Sequence, residues 1–258
     1  MGTRADQALV DQGLVASRSL AKRLIEAGAV FSSIEGAVRA IVKASEMVDD
    51  SDILILKESV ETQFASRAGA KLEGAFTRCN IDIVNRFCMD LGQSTGGFTD
   101  CLLKRDAAHV LGVDVGHGQL AATIASDTRV TALEGVNVRH FDPRTNPKSS
   151  RYVNEISVIV LDLSFISLHL VLPAVTSWFA GAERKIDLLS LVKPQFEVGK
   201  GNVNKQGIVT DPQLLISVEQ RIKQLIRDCG WECHDYFASP LLGGDGNKEF
   251  FVYATNGQ

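Results

Sequence analysis

The stretch that decides the fold is residues 90–100, DLGQSTGGFTD. It overlaps the end of the apolar run 87–91, which is typical of a buried strand, and its glycines predict a tight turn that leads into a helix. Glycine lets the backbone approach a ligand closely. Because ligands of open α/β sheets bind beyond the carboxyl ends of the strands, this turn is predicted to form part of a binding site.

The composition of the turn restricts the ligand. It is not G-x-G-x-x-G and no G-K-[ST] follows it, so a dinucleotide or a nucleoside triphosphate is disfavoured and a small cofactor without a pyrophosphate fits better. The next apolar run ends in Asp114, where a carboxylate can accept hydrogen bonds from both ribose hydroxyls of an adenosine. A turn cap is the alternative role for Asp114.

Apolar runs alternate with helical segments along the rest of the chain. The runs that read as buried strands are 87–91, 110–114, 130–133, 158–162 and 188–193. This alternation predicts a parallel sheet covered on both faces. The closing runs 231–237 and 250–253 lack a helix between them and predict an antiparallel edge hairpin. The expected fold class is α/β, with a Rossmann-like, seven-stranded and mostly parallel sheet.

The first sixty residues have a different pattern. Apolar residues recur at helical spacing, with Gly13 interrupting them and Gly28 ending them, which predicts a helix-turn-helix-like pair whose second helix is capped by Ser17 or Ser19. Short apolar runs, the turn 49–52 and a strand at 53–56 follow. This order resembles the alpha-L RNA-binding domain, so we expect a small α+β RNA-binding domain at 1–60, a linker near 57–65 and the main domain at 61–258. A solvated structural helix pair is the alternative.

Charge and hydropathy limit the function classes. The formal net charge of −4 argues against tight, non-specific attachment to nucleic acid, so basic residues that bind RNA must be clustered locally. The N-terminus lacks the pattern of an export signal, which makes the cytoplasm the expected location. The apolar stretch 156–175 contains Asp162, His169 and Pro173, and this predicts a strand and a helix rather than a membrane span.

Five motifs carry a resemblance to a known family. They read DLGQSTGGFTDCLL, VDVGHGQL, LDLSFISL, LVKPQFEVGK and GNKEFF, and in this order they resemble the TlyA family of ribosomal-RNA ribose 2′-O-methyltransferases, whose members also carry an old hemolysin designation. The resemblance implies an FtsJ-like methyltransferase domain, S-adenosylmethionine as cofactor, and ribosomal RNA or ribosomal subunits as partner. Neither a metal nor a membrane is expected, because the five histidines share no ligand spacing and the sequence offers no amphipathic basic helix of the kind that binds membranes.

The resemblance also implies the catalytic residues, whereas the glycine turn, Asp114 and the basic face of the second predicted helix are identified from the sequence pattern. The catalytic tetrad falls on Lys71, Asp162, Lys193 and Glu249. The expected cofactor-binding residues are Asp90, Gly92, Gln93, Ser94, Gly96, Gly97, Phe98, Thr99, Asp114 and, approximately, Asn137. The expected RNA-binding residues are Arg4, Arg18, Lys22, Arg23 and Arg67.

The chemistry explains why the tetrad needs these residue types. A ribose hydroxyl is a poor nucleophile at neutral pH, so its oxygen must be aligned with the methyl group and its developing charge stabilised. An ammonium at Lys193 can stabilise that charge, whereas a neutral Lys193 can remove the proton. Both roles are open, and the two carboxylates would hold the lysines in place.

Other functions remain alternatives at this level. They are a non-catalytic RNA-binding or ribosome-binding factor, a membrane-active hemolysin, and a base methyltransferase, although the Asn-Pro-Pro-Tyr-like motif of amino-group methylation is absent after the fourth strand. The loop 199–207 is rich in glycine and lysine and would close over RNA phosphates, or is a surface loop without that role.

Overall fold

The computed structural model describes residues 2–15, 17–34, 37–49, 52–57, 63–244 and 246–257. The chain divides into two compact units, residues 1–67 and 68–258, and each is described by itself. Of the predicted turn 49–52, residues 50 and 51 lie outside the described residues, as do residues 58–62 of the predicted linker.

The N-terminal unit combines helices with short strands. Its elements are β1 (Thr3–Arg4), α1 (Ala5–Asp11), α2 (Arg18–Glu26), β2 (Val30–Ile34), β3 (Ala37–Ala40), β4 (Met47–Val48) and β5 (Ile53–Leu56). Strand β2 pairs with β3 and β5, and β1 pairs with β4. Ser17, rather than Ser19, caps α2, because its hydroxyl accepts a hydrogen bond from the Leu20 amide at 3.3 Å.

The second unit is built on a seven-stranded sheet of order β11-β12-β10-β9-β6-β7-β8. The strands are β6 (Phe87–Leu91), β7 (His109–Val113), β8 (Val130–Leu133), β9 (Ile156–Leu161), β10 (Asp187–Val192), β11 (Trp231–Ala238) and β12 (Phe250–Asn256). Strand β12 runs in the opposite direction to the other six described strands of this sheet, and it lies between β10 and β11. The predicted seven-stranded fold is confirmed, and of the closing hairpin β11 alone forms the sheet edge.

Helices flank the sheet. They are α3 (Arg67–Cys79), α4 (Gly97–Lys104), α5 (Ala122–Ala125), α6 (Leu172–Ser177), α7 (Pro194–Glu197) and α8 (Pro212–Asp228). The central strands are largely apolar, and Met89, Leu111 and Ile159 have no exposed surface. Full burial of such side chains contributes about 1.5–3 kcal/mol each. Among the described helices, none is long and apolar enough to cross a membrane.

The topology determines where polar side chains meet. Asp114, Asp162 and Lys193 each come one residue after a parallel strand, so all three lie at the carboxyl edge of the sheet. Glu249 precedes β12, and because β12 runs in the opposite direction, the start of this strand lies at the same edge. Val192 pairs with Phe250, which brings Lys193 and Glu249 close together.

Candidate active site

A cavity of about 490 Å³ lies at the carboxyl edge of the sheet, beyond β6, β7 and β9. Its lining includes the predicted cofactor residues Gly92, Ser94, Asp114 and Asn137, together with Asp162 of the predicted tetrad. The volume is in the range of small-molecule sites.

Gly92 allows the turn to approach the neighbouring strand end. Its φ is +92°, and a Cβ atom there would lie 2.4 Å from the carbonyl oxygen of Asp162. No other residue type fits this position without displacing the backbone. The turn therefore brings its own backbone against Asp162, directly below the cavity.

Asp114 connects two loops at the cavity wall. Its Oδ2 accepts a hydrogen bond from the Ser94 amide at 2.8 Å, and its Oδ1 accepts one from the Gly116 amide at 2.7 Å. The capping role considered from the sequence is thus real, and Asp114 also lines the cavity. Each carboxylate oxygen has a second lone-pair site, so Asp114 can still accept hydrogen bonds from a ligand hydroxyl.

The other predicted cofactor residues build the turn and do not line the cavity. The Thr99 hydroxyl donates to Asp90 Oδ2 at 2.7 Å, and the Gln93 amide nitrogen donates to the Thr99 hydroxyl at 2.9 Å. These three side chains are buried. Phe98 is buried as well, and its ring stacks on Phe251 at 6.3 Å between centroids. The remaining two are the glycines at the start of α4, Gly96 and Gly97.

Asp90 is the most unusual of these residues. It is fully buried, and its Oδ1 has no hydrogen-bond partner among the described residues. Burial raises the pKa of this carboxyl to about 7, and the charges of Asp162 and Asp114 act in the same direction. The Thr99 hydrogen bond opposes the shift.

Several cavity residues were not predicted from the sequence. They are Val113, Val115, Gly116, Gln119, Val136, Val138, Leu163, Ser164, Phe165, Ile166 and Val171. Most of them lie at or just beyond the ends of β7, β8 and β9. The rule that ligands bind beyond strand ends covers these positions, but it does not distinguish an apolar residue of the cavity from one of the core.

The predicted tetrad forms two ion pairs. The Lys193 ammonium lies 2.7 Å from Asp162 Oδ1, and the Lys71 ammonium lies 2.5 Å from Glu249 Oε2. The exposed fraction of all four side chains is between 4% and 17%. Lys71 comes from α3, and the other three follow or precede strands of the sheet.

A second cavity of about 720 Å³ adjoins the first. Lys193 and Glu249 line it, whereas Asp162 lines the first cavity. Residues 164–166 line both cavities and therefore separate them. The loop 199–207 borders the second cavity through Gly199, Val203 and Gly207.

Phe165 lies between the two cavities in an unusual conformation. Its φ is +63°, and the residue is 90% exposed. For a residue other than glycine, this left-handed conformation costs about 1–2 kcal/mol of backbone strain. Its ring contacts Phe196 with 5.2 Å between centroids. Strained residues of this kind are concentrated at functional sites.

The predicted RNA-binding residues make different contacts. Arg4 and Arg18 both donate to the buried carboxylate of Asp6, and their side chains are 45% and 54% exposed. These hydrogen bonds hold the pKa of Asp6 down at about 2. Of the other three, Lys22 pairs with Glu26 at 3.7 Å, Arg23 donates to Ser19, and Arg67 begins α3.

The comparisons with known proteins agree with this geometry. Residues 64–256 match the family model of the FtsJ-like methyltransferases. The chain is 42% identical over 250 residues to the 16S/23S rRNA (cytidine-2′-O)-methyltransferase TlyA of Mycobacterium tuberculosis, covering 97% of this chain and 88% of the relative. It is 36% identical over 251 residues to Hemolysin A of Brachyspira hyodysenteriae, covering 97% and 98% of the two chains. The solved structure named "Putative hemolysin" from Streptococcus thermophilus is similar with a TM-score of 0.73 at 34% identity, covering 99% of this chain and 88% of that chain.

The fold and the site define an α/β methyltransferase, with one reversed strand in a parallel sheet and a glycine turn facing an acidic strand end. The chain belongs to the FtsJ-like methyltransferase family and, within it, to the TlyA family. The family resemblance in the five sequence motifs is thereby confirmed, as is the prediction of an enzyme.

Proposed function

We propose that this chain methylates the ribose 2′-hydroxyl of a nucleotide in ribosomal RNA, with S-adenosylmethionine as methyl donor. The observation that carries the proposal is the Lys193–Asp162 ion pair, which joins a residue of the second cavity to a residue of the first. The name of the Mycobacterium tuberculosis relative supports the choice of ribosomal RNA and of the ribose hydroxyl.

The first cavity has the features that the donor requires. Gly92 leaves room for a ligand close to the backbone, and the Asp114 carboxylate can accept hydrogen bonds from ribose hydroxyls. Val115, Val136 and Val138 offer apolar surface for an adenine. When bound, the cofactor supplies a methyl group on a positively charged sulfur. The Asp162 carboxylate at the cavity wall would attract this positive charge.

The second cavity would hold the acceptor ribose. In the proposed reaction, the methyl group would pass from the sulfonium sulfur to the ribose oxygen, which would leave a neutral thioether, and the hydroxyl proton would pass to solvent water. The Lys193 ammonium, which is oriented by Asp162 and by the Ser164 hydroxyl at 2.7 Å, would stabilise the charge that develops on this oxygen. The Asp162 carboxylate also balances the charge of this ammonium.

Glu249 and Lys71 would complete the acceptor site. Glu249 lines the second cavity, and its ion pair with Lys71 holds the carboxylate in one orientation. Both side chains are nearly buried, so this pair also neutralises two charges that would otherwise be costly there. Its proposed role is to position the ribose beside Lys193.

Phe165 would stack on the target base. An exposed ring at the boundary between the donor and acceptor cavities can support a base that has been removed from its helix.

In the N-terminal unit, Arg4 and Arg18 would bind backbone phosphates with the donors that Asp6 leaves available. Phosphate contacts orient the protein on the RNA, whereas contacts to the base determine the target.

The test is methyl transfer from labelled S-adenosylmethionine to unmodified ribosomal RNA and to ribosomal subunits, with the modified nucleotide identified by mass. A ribose-methylated product that is lost in Lys193→Ala would support the proposal. A base-methylated product would contradict the role of the tetrad. Cofactor binding without transfer to any of these RNAs would favour an RNA-binding factor.

A further inference from the structure

The loop 163–168, here called the partition loop, separates the two cavities. Its first half is held by the residues that follow β10. The Lys193 ammonium donates to the Ser164 hydroxyl at 2.7 Å, and the Phe196 ring contacts the Phe165 ring. These contacts come from the acceptor side, since Lys193 and Phe196 both line the second cavity.

The second half of the partition loop is held by Glu197. Its Oε2 accepts a hydrogen bond from the Ser167 hydroxyl at 2.6 Å, and its Oε1 accepts one from the Leu168 amide at 2.8 Å. Both carboxylate oxygens therefore bind the same loop, close to Phe165. The backbone carbonyl of Glu197 accepts a hydrogen bond from Arg221 of α8, which ties this anchor to a long helix.

We infer that Glu197 is a positioning residue for methyl transfer, which fixes the partition loop so that Phe165 and Ser164 face the acceptor. The inference rests on the proposed function of the two cavities. The left-handed conformation of Phe165 needs such an anchor, because a strained residue persists only where its surroundings hold it. Glu197 would act through the loop and without touching the substrate, since it lies outside the lining of both cavities.

A purely structural role is the competing explanation. Ser167 begins a short 3-10 helix and its hydroxyl also accepts a hydrogen bond from the His169 amide, so Glu197 could serve only to stabilise this turn. That role predicts a loss of stability that does not depend on Phe165. A positioning role predicts that the effect of Glu197 on transfer becomes much smaller when Phe165 is absent.

A double-mutant cycle distinguishes the two explanations. We expect Glu197→Ala to lower kcat/KM for methyl transfer to ribosomal RNA at least about tenfold, because two charge-assisted hydrogen bonds are lost. In a Phe165→Ala background, the same substitution should change kcat/KM less than about threefold. Additive effects of the two substitutions would overturn the inference.

Two further variants serve as controls for the hydrogen bonds of Glu197. Glu197→Gln can accept from the Leu168 amide and donate to the Ser167 hydroxyl, so it should restore most of the activity that Glu197→Ala loses. Glu219→Ala removes a carboxylate that pairs with Lys223 on α8, outside the lining of both cavities, and should leave transfer unchanged. Failure of Glu197→Gln to restore activity would contradict a role based on hydrogen bonding.

Hydrogen exchange tests the anchor independently of activity. Exchange of the amides in 163–168 should become at least about tenfold faster in Glu197→Ala, and less so in Ser167→Ala, which removes one of the two hydrogen bonds. Unchanged exchange in both variants would overturn the inference even if the enzyme is active. Faster exchange in a protein that transfers no methyl to ribosomal RNA would instead mean that the proposed function is wrong and the anchor is real.

Discussion

The Lys193 ammonium lies 2.7 Å from Asp162 Oδ1, and the two residues face different cavities. This ion pair is a direct connection between the proposed donor site and the proposed acceptor site. Asp162 follows β9 and Lys193 follows β10, which is the parallel neighbour of β9 in the sheet. The sheet therefore sets the geometry of the pair, and substitutions here should affect chemistry more than cofactor binding.

Substitution of Lys193 should separate its two proposed roles. We expect Lys193→Ala to lower the rate of methyl transfer about a hundredfold or more, since one group that stabilises developing charge is removed. Lys193→Arg keeps a positive charge but cannot act as a base, so it should retain part of the rate if the role is electrostatic. Single-turnover transfer measures both variants. Equal loss in Arg and Ala variants would favour a neutral base.

Cofactor affinity serves as the control for these variants. Lys193 lines only the second cavity, so the Kd for S-adenosylmethionine should stay within about threefold of that of the unaltered protein, which is less than 1 kcal/mol. Calorimetry or fluorescence measures this value. A large rise in Kd would mean that Lys193 acts in donor binding.

Removing one member of the buried Lys71–Glu249 pair should lower the free energy of unfolding more than removing both members. Lys71→Met leaves the Glu249 carboxylate buried without its partner and should lower the free energy of unfolding by about 3–5 kcal/mol. The double variant Lys71→Met, Glu249→Leu removes both charges, so its free energy of unfolding should recover most of this loss. Urea unfolding measures stability. Methyl transfer should remain impaired in the double variant, and full activity there would show that the pair is only structural.

Phe165 should contribute to RNA binding and contribute little to the free energy of unfolding. Its ring is largely exposed, so Phe165→Ala should change the free energy of unfolding by less than about 0.5 kcal/mol. Loss of stacking on one base costs about 1–3 kcal/mol, which corresponds to a rise in KM for RNA of at least about fivefold. Steady-state kinetics with ribosomal RNA measures this effect. Phe165→Trp is the control and should keep KM near its original value.

The sequence was sufficient to predict the sheet and the charged residues directly beyond its strands. Asp162, Lys193 and Glu249 were predicted from the motifs that resemble the TlyA family, and each of them lies where a strand of the sheet ends or begins. Which lysine pairs with which carboxylate was not predictable, since this depends on side-chain directions across the sheet edge. Glu197 was missed for the same reason, because its partners Ser167 and Leu168 lie about 30 residues earlier in the chain.

The glycine-turn motif did not predict which of its residues line the cavity. Gly92 and Ser94 line the cavity, whereas Gln93 and Thr99 are buried beneath the turn. In a tight turn, neighbouring residues point to opposite sides, and the sequence carries no signal that tells one side from the other. The apolar part of the cavity was missed because apolar residues near strand ends are also typical of the core.

The N-terminal unit offers a test of RNA binding. Arg18→Ala removes one of two arginines held on Asp6, and Arg4 remains to pair with the buried carboxylate. We expect weaker binding to ribosomal RNA at all salt concentrations, with the slope of log K against log salt reduced by about one. Filter binding across a salt series measures this. Arg227→Ala, on the exposed surface of α8, is the matched control, and an unchanged slope in Arg18→Ala would exclude a phosphate contact.

The buried carboxyl of Asp90 should make stability depend on pH. Its pKa is raised to about 7 in the folded protein, mainly by burial, whereas an unfolded aspartate titrates near pH 4. Between about pH 4 and pH 7 the folded state therefore binds more protons than the unfolded state, so stability falls as the pH rises through this window. The penalty is absent below about pH 4 and constant above about pH 7.

Asp90→Asn should remove this penalty, because an amide has no charge to bury and its oxygen can still accept the hydrogen bond from Thr99. Relative to the unaltered protein, the variant should gain on the order of 3 kcal/mol between pH 4 and pH 8. Urea unfolding at both pH values measures this difference. Thr99→Val, which removes the hydrogen bond that lowers the pKa of Asp90, should extend the pH-dependent loss of stability to higher pH. An identical stability difference at pH 4 and pH 8 would mean that Asp90 is ionised in the folded protein throughout, and that its charge is balanced by a partner.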